Sequence, residues 1–96
     1  MNDSAYRSES LTQKIMHYVY VLQSISTGKY YIGYTVDLKK RVSQHNAGLS
    51  RYTKHDKPWK IVYVEAYRTE DLAREREKQL KRHGQAWTAL KIRAGL

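Results

Sequence analysis

Three stretches of this chain are dense in β-branched and aromatic residues, and three others repeat apolar residues at helical spacing. Residues 17–23 (HYVYVLQ), 29–35 (KYYIGYT) and 59–67 (WKIVYVEAY) read as strands. The first two are separated by Ser24-Ile25-Ser26-Thr27-Gly28, turn chemistry that predicts a β-hairpin. Leu38, Val42, His45 and Leu49 recur at helical spacing, so a helix is expected from a cap at Thr35 or Asp37 to about Ala47, with Gly48 as its stop. A second helix should start at Thr69, carry Glu70 and Asp71 where the helix dipole favours negative charge, and run to about His83. Its apolar side is Leu72, Ala73 and Leu80. Residues 85–94 predict a third helix, with Ala86, Trp87, Leu90 and Ile92 facing inward. The order ββαβαα implies an α+β fold: a three-stranded antiparallel sheet flanked by helices. Residues 1–15, polar and without period, are expected to be a flexible N-terminal tail, and residues 16–96 the folded domain.

Charge narrows the partners. The 96 residues hold 18 Lys and Arg against 9 Asp and Glu, a formal +9. Residues 37–60 alone carry Lys39, Lys40, Arg41, Arg51, Lys54, Lys57 and Lys60 against Asp37 and Asp56. Such a surface favours a polyanionic partner, nucleic acid before an acidic membrane. The absence of cysteine excludes disulfides, thiolate nucleophiles and Cys-ligated zinc. No apolar run is long enough to span a bilayer, so a cytoplasmic protein without membrane association is expected, and a monomer.

Candidate chemistry comes from residues that a simple core does not require. Tyr20 and Tyr31 share one face of the sheet, directly opposed if the loop is the four residues Ser24–Thr27, or shifted by an even step if a tighter turn forms at Thr27-Gly28. Gly33 lies on the same face and leaves room for another group to approach. His45 falls in the middle of the first helix's apolar stripe, and Arg41 borders that stripe one turn earlier. Glu77 borders the apolar side of the second helix, where a carboxylate must be paired or bind a cation. Arg76 lies closer to the centre of that side, so an ordinary structural Arg–Glu arrangement is the competing account.

In order and spacing, the runs YVYVLQS, YYIGYT-DL-KRV-QHN-G, YTK…PW-IVYVEAY and A-R-REKQLK resemble the GIY-YIG nuclease fold. The chain is most similar to its short single-domain bacterial members, the UPF0213 type, from residue 17 to about 92. The resemblance implies that Tyr20 and Tyr31 are the tyrosines of the two naming motifs. It also implies that Arg41 is the helix arginine, His45 the residue one turn later, and Glu77 the ligand of one divalent cation, usually Mg²⁺. The implied activity is a metal-dependent endonuclease cutting DNA, with RNA as an alternative substrate, weakly sequence-specific and suited to repair or to branched or damaged DNA. Lys39, Lys40, Arg51, Lys54 and Lys57 would hold phosphates, with Trp59 or exposed tyrosines stacking on bases. A nucleic-acid-binding module of the same fold, without useful catalysis, is the alternative. Three departures from the family pattern stand out: Tyr18 replaces the first motif's glycine, Tyr34 stands where some repair nucleases carry lysine, and no asparagine follows Glu77.

Overall fold

The computed structural model describes residues 15–96, so all but the last residue of the expected tail lies outside the described residues. The element order is β1 (His17–Ser24), β2 (Tyr30–Thr35), α1 (Leu38–Asn46), β3 (Trp59–Tyr67), α2 (Glu70–Lys81) and α3 (Gln85–Ala94), the α+β order expected. Strand β1 is central, pairing antiparallel with β2 on one side and β3 on the other. No helix among the described residues is long and apolar enough to cross a membrane.

Alternation along the strands divides the core into two layers, one on each face of the sheet. Val19, Val21 and Ile32 pack against Ala73, Leu80, Trp87 and Leu90 of α2 and α3. On the other face Tyr20, Leu22 and Trp59 pack with Tyr31, Leu38 and Val42, so α1 covers that side. Each large apolar side chain removed from water contributes about 1.5–3 kcal/mol, and Leu22, Leu80 and Leu90 are at most 1% exposed.

Local chemistry sets the helix ends. Asp37, not Thr35, caps α1, its Oδ1 accepting from Lys40 N at 3.0 Å. Thr69 Oγ1 accepts from Leu72 N at 3.2 Å to start α2. The second helix stops at Lys81, two residues before expected, because His83 takes a left-handed φ of 56°. Gly84 then serves as the N-cap of α3.

The hairpin register differs from both expectations by two residues. Ser24 and Lys29 close a four-residue loop (Ser24 N→Lys29 O, 2.8 Å), so Tyr20 pairs with Gly33 and Leu22 with Tyr31. A shift of two preserves the facing of every side chain, and both tyrosines keep their common face. Three residues expected inside lie outside. Leu49 is 73% exposed, because α1 ends at Asn46 and Gly48, at φ 76°, turns the chain away. Leu72 is 56% exposed, about 100° round the helix from Ala73, and Ile92 is 78% exposed, about 200° from Leu90.

Candidate active site

The face under α1 builds the site from the sheet upward. Gly33, directly opposite Tyr20, has no side chain, and the Tyr20 ring fills the space: a Cβ at Gly33 would meet Tyr20 Oη at 2.3 Å. The phenol is thereby pressed against α1, where its Oη lies 2.9 Å from His45 Nε2. Tyr31, two residues along β2, sets its ring 6.4 Å from that of Tyr20 and 5.0 Å from the His45 imidazole, centroid to centroid. Two phenols and one imidazole therefore meet on one face, as the periodicities predict.

Both hydrogen-bonded partners resist ionisation. Burial pushes the Tyr20 phenol up to about 12, although Arg41 pulls it part of the way back. Burial, helped by the positive charge of Arg41, lowers His45 to about 4. At neutral pH the pair is a phenol and a neutral imidazole. Arg41 borders the cluster half-buried, with Nη1 donating to Gln44 Oε1 at 3.0 Å.

Glu77 lies on α2, which packs against the other face of the sheet, and its charge is felt at the Tyr20 phenol. Its partner is not Arg76 but Lys81, one turn on, whose Nζ lies 3.1 Å from Glu77 Oε2 and 5.6 Å from the centre of the Tyr31 ring. One ammonium thus bridges the carboxylate and the second phenol. Arg76 instead forks onto Glu65 of β3, both contacts at 2.9 Å. Among the described residues no three His, Asp or Glu side chains gather into a ready-made cation cage.

Lys39, Lys40, Arg51 and Lys54 are exposed on α1 and the following loop. Lys57 is exposed too, its Nζ 3.3 Å from where a Gly48 Cβ would stand, just past the end of α1. Trp59 does not offer a stacking face: it is 5% exposed, with Nε1 donating to Thr53 O at 2.9 Å and its backbone held by the Asn46 side chain. Among the described residues Tyr52, 78% exposed with Arg51 over its ring, is the tyrosine free to stack. Tyr34 lies on the opposite face, its Oη 2.7 Å from His17 Nδ1 and its ring under Arg74.

Thr53 was not expected in the site. It is fully buried, and its Oγ1 lies 2.7 Å from His45 Nδ1. No periodicity marks it, since it sits in an irregular loop; a small polar residue among lysines reads as solvent-facing.

The profile of the GIY-YIG catalytic domain matches residues 16–90. The chain belongs to the GIY-YIG family. Among GIY-YIG relatives, a UPF0213 protein of Halobacterium salinarum is 39% identical over 72 residues, 74% of this chain and 92% of that one. A UPF0213 protein of Staphylococcus aureus is 41% identical over 66 residues, 68% of this chain and 79% of the relative. The solution NMR structure of a UPF0213 protein from Bacillus halodurans is 29% identical, with a TM-score of 0.48 over 80% of this chain and 81% of that one. Membership places the chain in a nuclease superfamily, which implies a nucleic-acid substrate.

Proposed function

We propose that this GIY-YIG domain is a divalent-metal-dependent endonuclease that hydrolyses DNA phosphodiester bonds with little sequence preference, in repair or in processing branched or damaged DNA. The observation that carries the reading is the meeting of Tyr20, Tyr31 and His45 on one face, with Arg41 bordering them and Glu77 joined to Tyr31 through Lys81. Arg41 would make charge-assisted hydrogen bonds to the phosphate as negative charge spreads over its oxygens. Tyr20, held as a neutral phenol, would orient the attacking water through its oxygen and pass its proton to His45 only as the water's own proton arrives. A free phenolate is excluded at neutral pH by the raised pKa. Tyr31 would hydrogen-bond the water or a phosphate oxygen.

The donor set bears on the metal. A single carboxylate, Glu77, fits Mg²⁺, which is commonly held by one or two carboxylates, substrate phosphate and its own waters. By itself the protein would hold such a cation only weakly. Glu77 would hold the ion, which when bound polarises the phosphate and stabilises the leaving oxygen. Lys39, Lys40, Arg51, Lys54 and Lys57 would grip the backbone on either side, making affinity strongly salt-dependent.

The Glu77–Lys81 ion pair favours a second reading, a binding module whose carboxylate is neutralised internally. A panel of single-stranded, duplex and branched DNA, incubated with Mg²⁺ or with chelator, separates the two. The endonuclease loses cleavage in chelator and in Glu77→Ala and Arg41→Ala. The module binds without turnover, and Glu77→Ala leaves its affinity unchanged.

A further inference from the structure

We propose that Thr53 is a positioning residue that holds His45 in its Nδ1–H tautomer, so that Nε2 is kept as the acceptor for the Tyr20 proton. Three buried groups form one chain: Thr53 Oγ1 to His45 Nδ1 at 2.7 Å, and His45 Nε2 to Tyr20 Oη at 2.9 Å. Both hydroxyl groups are buried, both can donate or accept, and they compete for the one imidazole lone pair. Tyr20 is the stronger competitor, because a phenol, with an ordinary pKa of about 10, is a better donor than an aliphatic hydroxyl. Its oxygen also meets Arg41, which can only donate. Were Nε2 to carry the proton, the phenol hydrogen would be buried with nowhere to go. The phenol therefore donates to Nε2, the imidazole proton sits on Nδ1, and Thr53 Oγ1 receives it.

Thr53 is well placed to hold that direction. The loop it belongs to is pinned on both sides, by Trp59 Nε1 donating to Thr53 O at 2.9 Å and by Ser24 Oγ donating to Asp56 O at 2.6 Å. The same loop carries Arg51 and Lys54 on its outside, so one short segment presents cations to the partner and a hydroxyl to the imidazole. The consequence for catalysis rests on the nuclease reading: a histidine set this way can take the phenol's proton with both ring nitrogens still hydrogen-bonded. The tautomer does not depend on that reading.

The test is long-range ¹H–¹⁵N NMR of the full chain, with the four histidines assigned by comparison with His45→Gln. Wild type should show a pyrrole-type Nδ1 and a pyridine-type Nε2 at His45, and Thr53→Ser should show the same. Thr53→Val, which keeps the shape and removes the acceptor, should reduce the ratio of the two tautomers by roughly three- to tenfold. A pyrrole-type Nε2 in wild type overturns the proposal, as does a Thr53→Val spectrum identical to wild type. If Thr53→Val does not fold, the wild-type and Thr53→Ser spectra still decide. DNA left uncut by a protein with the expected tautomer overturns the nuclease reading and leaves this assignment standing.

Discussion

Replacing Gly33 by alanine tests the central packing contact of the site. The new methyl would lie 2.3 Å from Tyr20 Oη and 2.4 Å from Cζ, well inside any tolerated contact. The ring has little room to retreat: Tyr20 is 1% exposed, with His45 against its oxygen and Tyr31 beside it. Overpacking of this kind costs about 1–3 kcal/mol, and for a domain of this size each kcal/mol lowers Tm by about 4–8 °C. Urea denaturation gives the stability change, and the His45 ¹⁵N shifts report whether Tyr20 still donates. The origin of the cost can be isolated in a Tyr20→Leu background. Leucine lacks the three clashing atoms, Oη, Cζ and Cε1, so adding Gly33→Ala there should cost much less. If Gly33→Ala is within about 0.5 kcal/mol of the parent, or costs the same in both backgrounds, the argument that the glycine exists to seat the phenol is wrong.

His45 should impose a pH dependence on stability. Its folded pKa of about 4 lies below the ordinary 6.5, so between those values the unfolded chain binds more protons. The stabilisation is complete above about pH 6.5 and falls by up to about 3 kcal/mol as pH drops to 4; urea midpoints that decline equally in His45→Gln would contradict this. Arg76→Ala should cost about 2–3 kcal/mol, since it strips the fork from a Glu65 carboxylate that also accepts from Tyr63 at 2.7 Å and Tyr67 at 2.5 Å. The same variant should leave the Tyr20–His45 shifts in place, and their loss would mean the two faces are coupled. Lys40→Gln and Arg51→Gln should each reduce the slope of log affinity against log salt by about one, measured by fluorescence anisotropy on a labelled oligonucleotide; an unchanged slope removes that residue from the interface.

The fold and the facing of the tyrosines were legible because both depend on periodicity. A strand's alternation survives a two-residue error in register, so Tyr20 and Tyr31 meet although the turn closes elsewhere. The burial of His45 followed from the stripe through Leu38 and Val42. What escaped depends on where chain direction changes or on long side chains choosing partners. Leu49 was assigned by continuing a helix that Gly48 ends. Thr53 and the burial of Trp59 come from an irregular loop folding back on α1. Arg76 was weighed as a partner for Glu77, its neighbour in sequence. It turns instead to Glu65 on β3, where burial raises the carboxyl's pKa but the bonds from Arg76, Tyr67 and Tyr63 outweigh it and keep it ionised.

The Glu77–Lys81 contact weighs less against catalysis than its geometry suggests. An i,i+4 ion pair on a helix contributes about 0.3–0.5 kcal/mol when exposed. Here the Lys81 side chain is 46% exposed, so its ammonium can return to water on release, while Glu77 at 15% would be left needing another cation. The loss therefore falls on the carboxylate, which a divalent ion arriving with a phosphate would satisfy. The freed ammonium, already beside the Tyr31 ring, would then lie near the incoming phosphate and gain an anionic partner in exchange. On this reasoning Lys81→Met should strengthen binding of Mn²⁺ to the protein alone, followed by proton relaxation enhancement of water, and Glu77→Gln should abolish the gain. An affinity unchanged by Lys81→Met would mean that the ammonium does not compete for the carboxylate, and the exchange argued here would fail.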